Sequence, residues 1–329
     1  MNRSVHARVP AAAGALLAAL TLAASPATAD PAVTGGQITG QWMIEPGEKA
    51  GAIELTLQRS QHRRGHMSTS DDVPMSQLRG LDWKQAAAST GAAFRFEIAR
   101  DAGTFACEGW FRAGKGSGHF TFAPSARFVA DARGLGLGAL SDEQVFTLAV
   151  HDVGRALIRE LAQLGYRGLS CEQLVEMRIH DVSPAYIREL AGLGLRKIEV
   201  DQLVAMRIHG VTPDEIRQLA ALGYRRLGPD KLVAMRIHGV TPAYIRELGA
   251  LGQRDIDVDQ LVAMRIHGVS PDGIRELAAL GYQRLAAQQL IDMRIHDVSP
   301  DFIRRLKKRG YANLTVDELI SLKIHGVAR

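Results

Sequence analysis

The chain is predicted to be an α+β protein: a small β-rich N-terminal domain followed by an α-solenoid of seven helix-pair repeats, each 29 residues long. Three observations carry that prediction. Seven histidines, His151, His180, His209, His238, His267, His296 and His325, recur at an unbroken spacing of 29 residues. A fixed period of this size marks tandem units that stack because none can bury its apolar face alone. Between the histidines, Ser/Thr-Pro pairs and glycines bracket two short apolar-periodic segments per unit. Ahead of the repeats, apolar and polar residues alternate at strand spacing from about residue 38 to residue 123.

In chain order, residues 1–29 read as a secretory signal: Arg3 and Arg8, an apolar run from Ala11 to Ala24, then Ala27-Thr28-Ala29 before Asp30. The expected destination is the periplasm or the exterior. No later stretch approaches the 18 apolar residues of a membrane span, so the processed chain is expected to make no stable membrane insertion. Removing the signal takes two of 40 basic residues and none of the 35 acidic ones, leaving a net charge of +3. That mild excess argues against a nucleic-acid partner.

Residues 30–123 form the predicted β-rich domain, expected to be a small sandwich of hairpins. Ile53, Leu55 and Leu57 alternate with polar residues, then Phe94, Phe96 and Ile98. Asp101-Ala102-Gly103 makes a turn into Phe105, Cys107, Gly109 and Phe111, and a glycine-rich turn leads to His119-Phe120-Thr121-Phe122. Ser60 to Asp72 is polar and basic and is expected to be an exposed loop. Export would permit a Cys107–Cys171 disulfide, but Cys171 occupies the position of Val200, Val258 and Val316, as a packed thiol would.

Residues 124–329 form the predicted solenoid. The first helix of a unit opens with a hydroxyl N-cap and a proline at the position that needs no N–H donor: Ser183-Pro184, Thr212-Pro213, Thr241-Pro242, Ser270-Pro271 and Ser299-Pro300. It stops at Gly194, Gly223, Gly252, Gly281 or Gly310, each able to take a left-handed C-cap. The second helix has its clearest start in the capping box Thr315-Val316-Asp317-Glu318 and ends at His-Gly or His-Asp. Two earlier units, less regular, start near Arg155 and Ala126. On the second helix, Leu203, Val204, Met206 and Ile208 span so wide an arc that it is expected to be covered on two sides.

Three ladders are candidate functional features. Equivalent histidines (His180, His209, His238, His267, His296) should lie about 8 to 10 Å apart on stacked helices, too far for two to share one zinc. No metal or other cofactor is therefore expected, and each imidazole is expected to cap its helix and bond the next unit. Arg207, Arg236 and Arg265, with Arg178, Arg294 and Lys323, fall inside the apolar arc of the second helix. They are read as staples, bonded to the acid that starts the second helix or to the ends of adjacent helices; a ligand-facing row stays open. Arg159, Arg188, Arg217, Arg246, Arg275 and Arg304 flank the core face of the first helix, and most precede Glu. They are the candidate interaction surface, a weakly basic stripe suited to an acidic protein segment or an anionic envelope polymer.

No catalytic motif is complete, so no enzyme is expected. Gly109 to Gly116 reads as a phosphate loop but puts Gly116 where Ser or Thr must hold magnesium. His62 and His66 have zinc-ligand spacing, but Arg63-Arg64-Gly65 between them supplies no glutamate base.

The repeated phrase Met206-Arg207-Ile208-His209-Gly210-Val211-Thr212-Pro213, followed by Ile216-Arg217, resembles the helical repeats in the extracytoplasmic tails of beta-lactam-sensing, antirepressor-type membrane metallopeptidases and of stand-alone exported relatives. The resemblance covers about residues 125 to 327. The membrane helices and His-Glu-x-x-His motif of that family are missing, so its peptidase activity attaches to no residue here. The resemblance implies an interaction or sensing role in the envelope. The expected function is a non-enzymatic exported scaffold that binds another envelope protein; the alternative is a periplasmic sensor of a small ligand or cell-wall fragment.

Overall fold

The computed structural model describes residues 37–47, 51–61 and 65–327. The predicted signal segment and the His62–Arg64 part of the zinc look-alike lie outside them. The fold is α+β, a curved antiparallel sheet followed by seven helix pairs.

The sheet holds β1 (Ile38–Pro46), β2 (Ala52–Gln61), β3 (Gly65–Pro74), β4 (Leu78–Arg79), β5 (Thr90–Ala99), β6 (Gly103–Arg112) and β7 (Lys115–Pro124) in the order β3-β2-β1-β7-β6-β5-β4. It is one sheet, not a sandwich. Its second layer is helical: α1 (Trp83–Ala88) at one end and the start of the solenoid at the other. The alternation predicted for β2, β5, β6 and β7 puts Ile53, Leu55, Leu57, Phe96, Ile98, Phe105, Phe111, Phe120 and Phe122 on the buried face. Trp42 of β1 crosses this face, where a Cβ on Gly109 would stand 2.6 Å from its ring. Its Nε1 donates to the Glu108 and His119 carbonyls at 3.2 and 3.1 Å. Glycine at 109 leaves room for the indole.

Two expectations for this region are corrected. The described residues of the Ser60–Asp72 span are not loop but the end of β2 and most of β3, which pair without a break in register from Ala52/Pro74 to Gln61/Gly65. β3 is an edge strand and can be polar on both sides, so it lacks the apolar alternation that betrays an inner strand. Cys107 and Cys171 are both free and buried, and burial pushes both thiols up, so no disulfide joins them.

The helix pairs are α2 (Ala126–Ala132) with α3 (Asp142–Val150), α4 (Arg155–Gln163) with α5 (Cys171–Ile179), α6 (Pro184–Gly192) with α7 (Val200–Ile208), and α8 (Pro213–Ala221) with α9 (Pro229–Ile237). They continue with α10 (Pro242–Ala250) and α11 (Val258–Ile266), α12 (Pro271–Ala279) and α13 (Ala287–Ile295), and α14 (Pro300–Lys308) and α15 (Val316–Ile324). First helices stack on first helices and second on second, giving two layers with the core between them. The hydroxyls of Ser183, Thr212, Thr241, Ser270 and Ser299 accept from the N–H three residues on. Gly194, Gly223, Gly252, Gly281 and Gly310 take φ between +83° and +99°, as C-cap glycines should.

The second unit breaks the cap rule at Gly154-Arg155, and the sheet explains the break. The Asp101 carboxylate, on the β5–β6 turn, accepts from the Arg155 backbone N–H at 2.6 Å and from its guanidinium Nε at 2.9 Å. The Arg155 side-chain bond, more than any other influence, holds the Asp101 carboxyl below its ordinary 3.8. A cap that other units carry in their own sequence is here supplied by the sheet. Phe146 of α3 completes the junction, lying 5.3 to 6.1 Å from the rings of Phe105, Phe120 and Phe122. Arg59 of β2 covers its other side at 5.2 Å and pairs with Glu143 at 2.7 Å. Residues Ile38–Arg329 cluster as one compact unit.

Candidate interaction face

The second-helix arginines are staples between units. Nε of Arg178, Arg207, Arg236, Arg265 and Arg294 donates to the backbone carbonyl of His151, His180, His209, His238 and His267 respectively, at 3.1 to 3.3 Å. Each guanidinium thus closes the C-terminus of the preceding second helix, where carbonyls lack intrahelical donors and a cation is favoured. The guanidiniums lie over aromatic rings in alternate units: that of Arg207 is 5.0 Å from the Tyr186 ring and that of Arg265 4.9 Å from the Tyr244 ring. Where a carboxylate joins, it is Asp152 for Arg178, Asp181 for Arg207, Glu215 for Arg236 and Asp297 for Lys323, none being the acid that starts the second helix. Burial, outweighing the nearby Arg236, pushes the Glu215 carboxyl up.

The histidine ladder does its work through the backbone. Among the described residues only His325 uses its ring as expected, with Nδ1 2.7 Å from the Ser321 carbonyl; for His151, His180, His209, His238 and His267 the contact to the next unit is the histidine's own C=O. The cap thus does not require an imidazole. Among the described residues no group of three or more His, Cys, Asp or Glu side chains is placed to hold a metal.

First-helix arginines form a closed ladder. Arg188, Arg217, Arg275 and Arg304 reach Glu160, Glu189, Glu247 and Glu276 of the preceding unit at 2.6 to 3.8 Å, and Arg246 reaches Gln218 at 2.7 Å. Arg217, Arg275 and Arg304 also bond the Asp in their own first turn. Arg159 lies near enough to Asp101 to help hold that carboxyl down. The stripe is present, but its charge is largely matched from within.

The unmatched surface lies on the other layer. Ile179, Ile208, Ile237, Ile266, Ile295 and Ile324, the last residues of α5, α7, α9, α11, α13 and α15, are 51 to 61% exposed. The second helix is therefore not covered on two sides. Leu203, Val204 and Met206 are buried as expected, and it is Ile208, at the end of the helix, that stands outside with Asp201. Isolated exposed isoleucines are ordinary, but six at one position of consecutive units make a continuous apolar line.

A second periodicity was in the sequence and went unread. Tyr166, Tyr224 and Tyr282 stand 58 residues apart, and their hydroxyls donate to the carbonyls of Ile198, Ile256 and Leu314 at 2.7 to 2.9 Å. Tyr186 and Tyr244, also 58 apart, donate to Val211 and Val269 at 3.0 and 2.9 Å. Units alternate in which end carries the tyrosine, so two units form the true repeat. The phosphate-loop look-alike is a hairpin turn between β6 and β7 whose Lys115 pairs with Glu45 at 2.9 Å.

No family model matches the chain, and no curated protein matches it.

Proposed function

We propose that the protein is a non-enzymatic, exported scaffold whose isoleucine line binds an extended segment of another envelope protein. The line of six exposed isoleucines carries the reading. Burying a whole isoleucine side chain is worth roughly 1.5 to 3 kcal/mol, so the exposed half of each rung offers about 1 kcal/mol to a partner. Six rungs offer about 6 kcal/mol before the cost of association, so polar and main-chain contacts of the segment must add to them. Stacked helices repeat at about 8 to 10 Å, and three residues of polyproline II chain advance about 9.3 Å. A segment with one apolar residue in three would set one side chain on each rung. The resemblance of the repeats to extracytoplasmic sensor tails and the predicted signal segment support export.

The test is capture from envelope extract by the mature protein and by the triple variant Ile208→Ser/Ile237→Ser/Ile266→Ser. The variant should stay folded and helical and lose the partner. Undiminished capture by a folded triple variant would remove the isoleucine line from the account, and an intact mass that retains residues 1–29 in exported cell fractions would remove the signal.

A further inference from the structure

The residue after each ladder histidine settles how the next staple is charged. It takes a left-handed backbone in every unit from His151 on, with φ between +53° and +73°. Glycine adopts that conformation without steric cost, and three consecutive middle units have it, at Gly210, Gly239 and Gly268. The units on either side carry Asp152, Asp181 and Asp297 instead, against the steric preference of a side chain with a Cβ. Each of these carboxylates pairs across the unit boundary with the next staple: Asp152 with Arg178 at 3.7 Å, Asp181 with Arg207, and Asp297 with Lys323 at 2.8 Å.

At the three middle boundaries the arginine remains and the carboxylate does not. Arg236, Arg265 and Arg294 hold the carbonyls of His209, His238 and His267 through Nε, and all three are exposed. Arg236 meets Glu215 at 3.5 Å. Among the described residues Arg265 and Arg294 pair with no acid; Arg265 has the Tyr244 ring beside it, and the corresponding position for Arg294 is Gly273. Asp272 and Asp301, in the first turns of α12 and α14, are taken by Arg275 and Arg304 of their own helices. Asp230 and Asp259 stand about 12 Å away along the axis, at the opposite ends of α9 and α11. A Cβ on Gly210, Gly239 or Gly268 would lie 3.0 to 3.1 Å from Nη2 of Arg236, Arg265 or Arg294 respectively. Glycine thus leaves open the side of the guanidinium on which Asp181 meets Arg207. The helix ends closed by these three arginines are those whose last residues are Ile208, Ile237 and Ile266, so a cation adjoins each of three consecutive rungs.

We infer that the three boundaries are carboxylate sites, and that the segment bound along the isoleucine line is acidic, with an aspartate or glutamate beside the apolar residue on each middle rung. The inference rests on that line as the docking face and adds the charge of what docks there. A carboxylate of the segment takes the place that Asp181 fills from within, with the Nη groups as charge-assisted donors. The isoleucines select a polypeptide, because a bare polyanion has nothing apolar to set on them. Exposed pairs of this kind each contribute a factor of roughly 2 to 3, so the three together favour an acidic over a neutral segment by about tenfold.

Two fluorescein-labelled peptides, four repeats of Ile-Glu-Pro and four of Ile-Gln-Pro, test it against the mature protein by anisotropy. The Glu peptide should bind about tenfold more tightly than the Gln peptide, and the gap should shrink as salt screens the pairs. Gly210→Asp/Gly239→Asp/Gly268→Asp copies into the middle boundaries the carboxylate that the flanking units already carry. It should fold, bind the Gln peptide as wild type does, and lose the preference for Glu. Arg265→Gln/Arg294→Gln should lose most of that preference too. Equal binding of the two peptides by wild type, a preference for Glu that the folded triple-Asp variant keeps, or no binding of either peptide would overturn the carboxylate sites. If equal binding is abolished by Ile208→Ser/Ile237→Ser/Ile266→Ser, the isoleucine line stands without them; a Glu preference that survives those serines would keep the sites and remove the line. Inorganic polyphosphate that binds as tightly as the Glu peptide, with or without the isoleucines, would overturn the polypeptide assignment.

Discussion

The two helical layers of the solenoid are built from the same 29-residue unit yet treat their outer surfaces in opposite ways. On the first-helix layer Arg188, Arg217, Arg246, Arg275 and Arg304 each meet an acid or amide of the unit before, and their charge is matched along the stack. On the second-helix layer the arginines turn inward to close carbonyls, and an isoleucine is left in water at the end of each helix from α5 to α15. A repeat that can match charges so regularly on one side has no stacking reason to leave six apolar side chains bare on the other. The difference locates the face available to a partner.

Substitutions can sharpen or break this contrast. The largest loss should come from Leu203→Ala, on the inner side of the helix whose outer end is Ile208; Leu203 is fully buried, and such truncations cost about 2 to 5 kcal/mol. Chemical denaturation measures it. Next is Asp101→Ala, which uncaps α4 and leaves Arg155 with Asp131 as its only carboxylate, about 1 to 3 kcal/mol. Because the Asp101 carboxyl is held below its ordinary 3.8, its contribution is fully present above that pH and disappears as pH falls through the lowered folded value. The gap between wild type and variant should therefore close in acid. Tyr244→Phe, which deletes the bond to Val269 O, should cost about 0.5 to 1.5 kcal/mol. Smallest are Ile208→Ser, about 1 kcal/mol for the packed half of its side chain, and His209→Ala, within about 0.5 kcal/mol because it keeps the carbonyl that Arg236 uses.

Much of the architecture was legible because the chain repeats its own instructions. Ser/Thr-Pro starts, glycine stops and the histidine period placed the helix pairs, since each signal acts within a few residues of itself. The misreadings share a cause, which is that the deciding partner is distant in sequence. Gly154-Arg155 looked like a degraded cap because its acceptor, Asp101, lies 54 residues earlier. β3 looked like a loop because an edge strand bounded by polar space needs no apolar face. Ile208 looked like core because hydropathy cannot tell which side of a helix end is left uncovered. The histidines drew attention as side chains, yet their regularity marks where a helix ends and where the next unit's arginine docks. The 58-residue alternation of tyrosines was open to inspection and needed only a comparison of every second unit.

The central claim concerns which layer meets the partner, and site-specific photo-cross-linking in cells tests it most directly. With benzoylphenylalanine placed singly at positions 208, 237 and 266, and in parallel at 188, 217 and 246, irradiation should give one adduct of common mass from the first set and none from the second. Adducts from the arginine positions, with the isoleucine positions silent, would contradict the account and return the binding surface to the first-helix stripe.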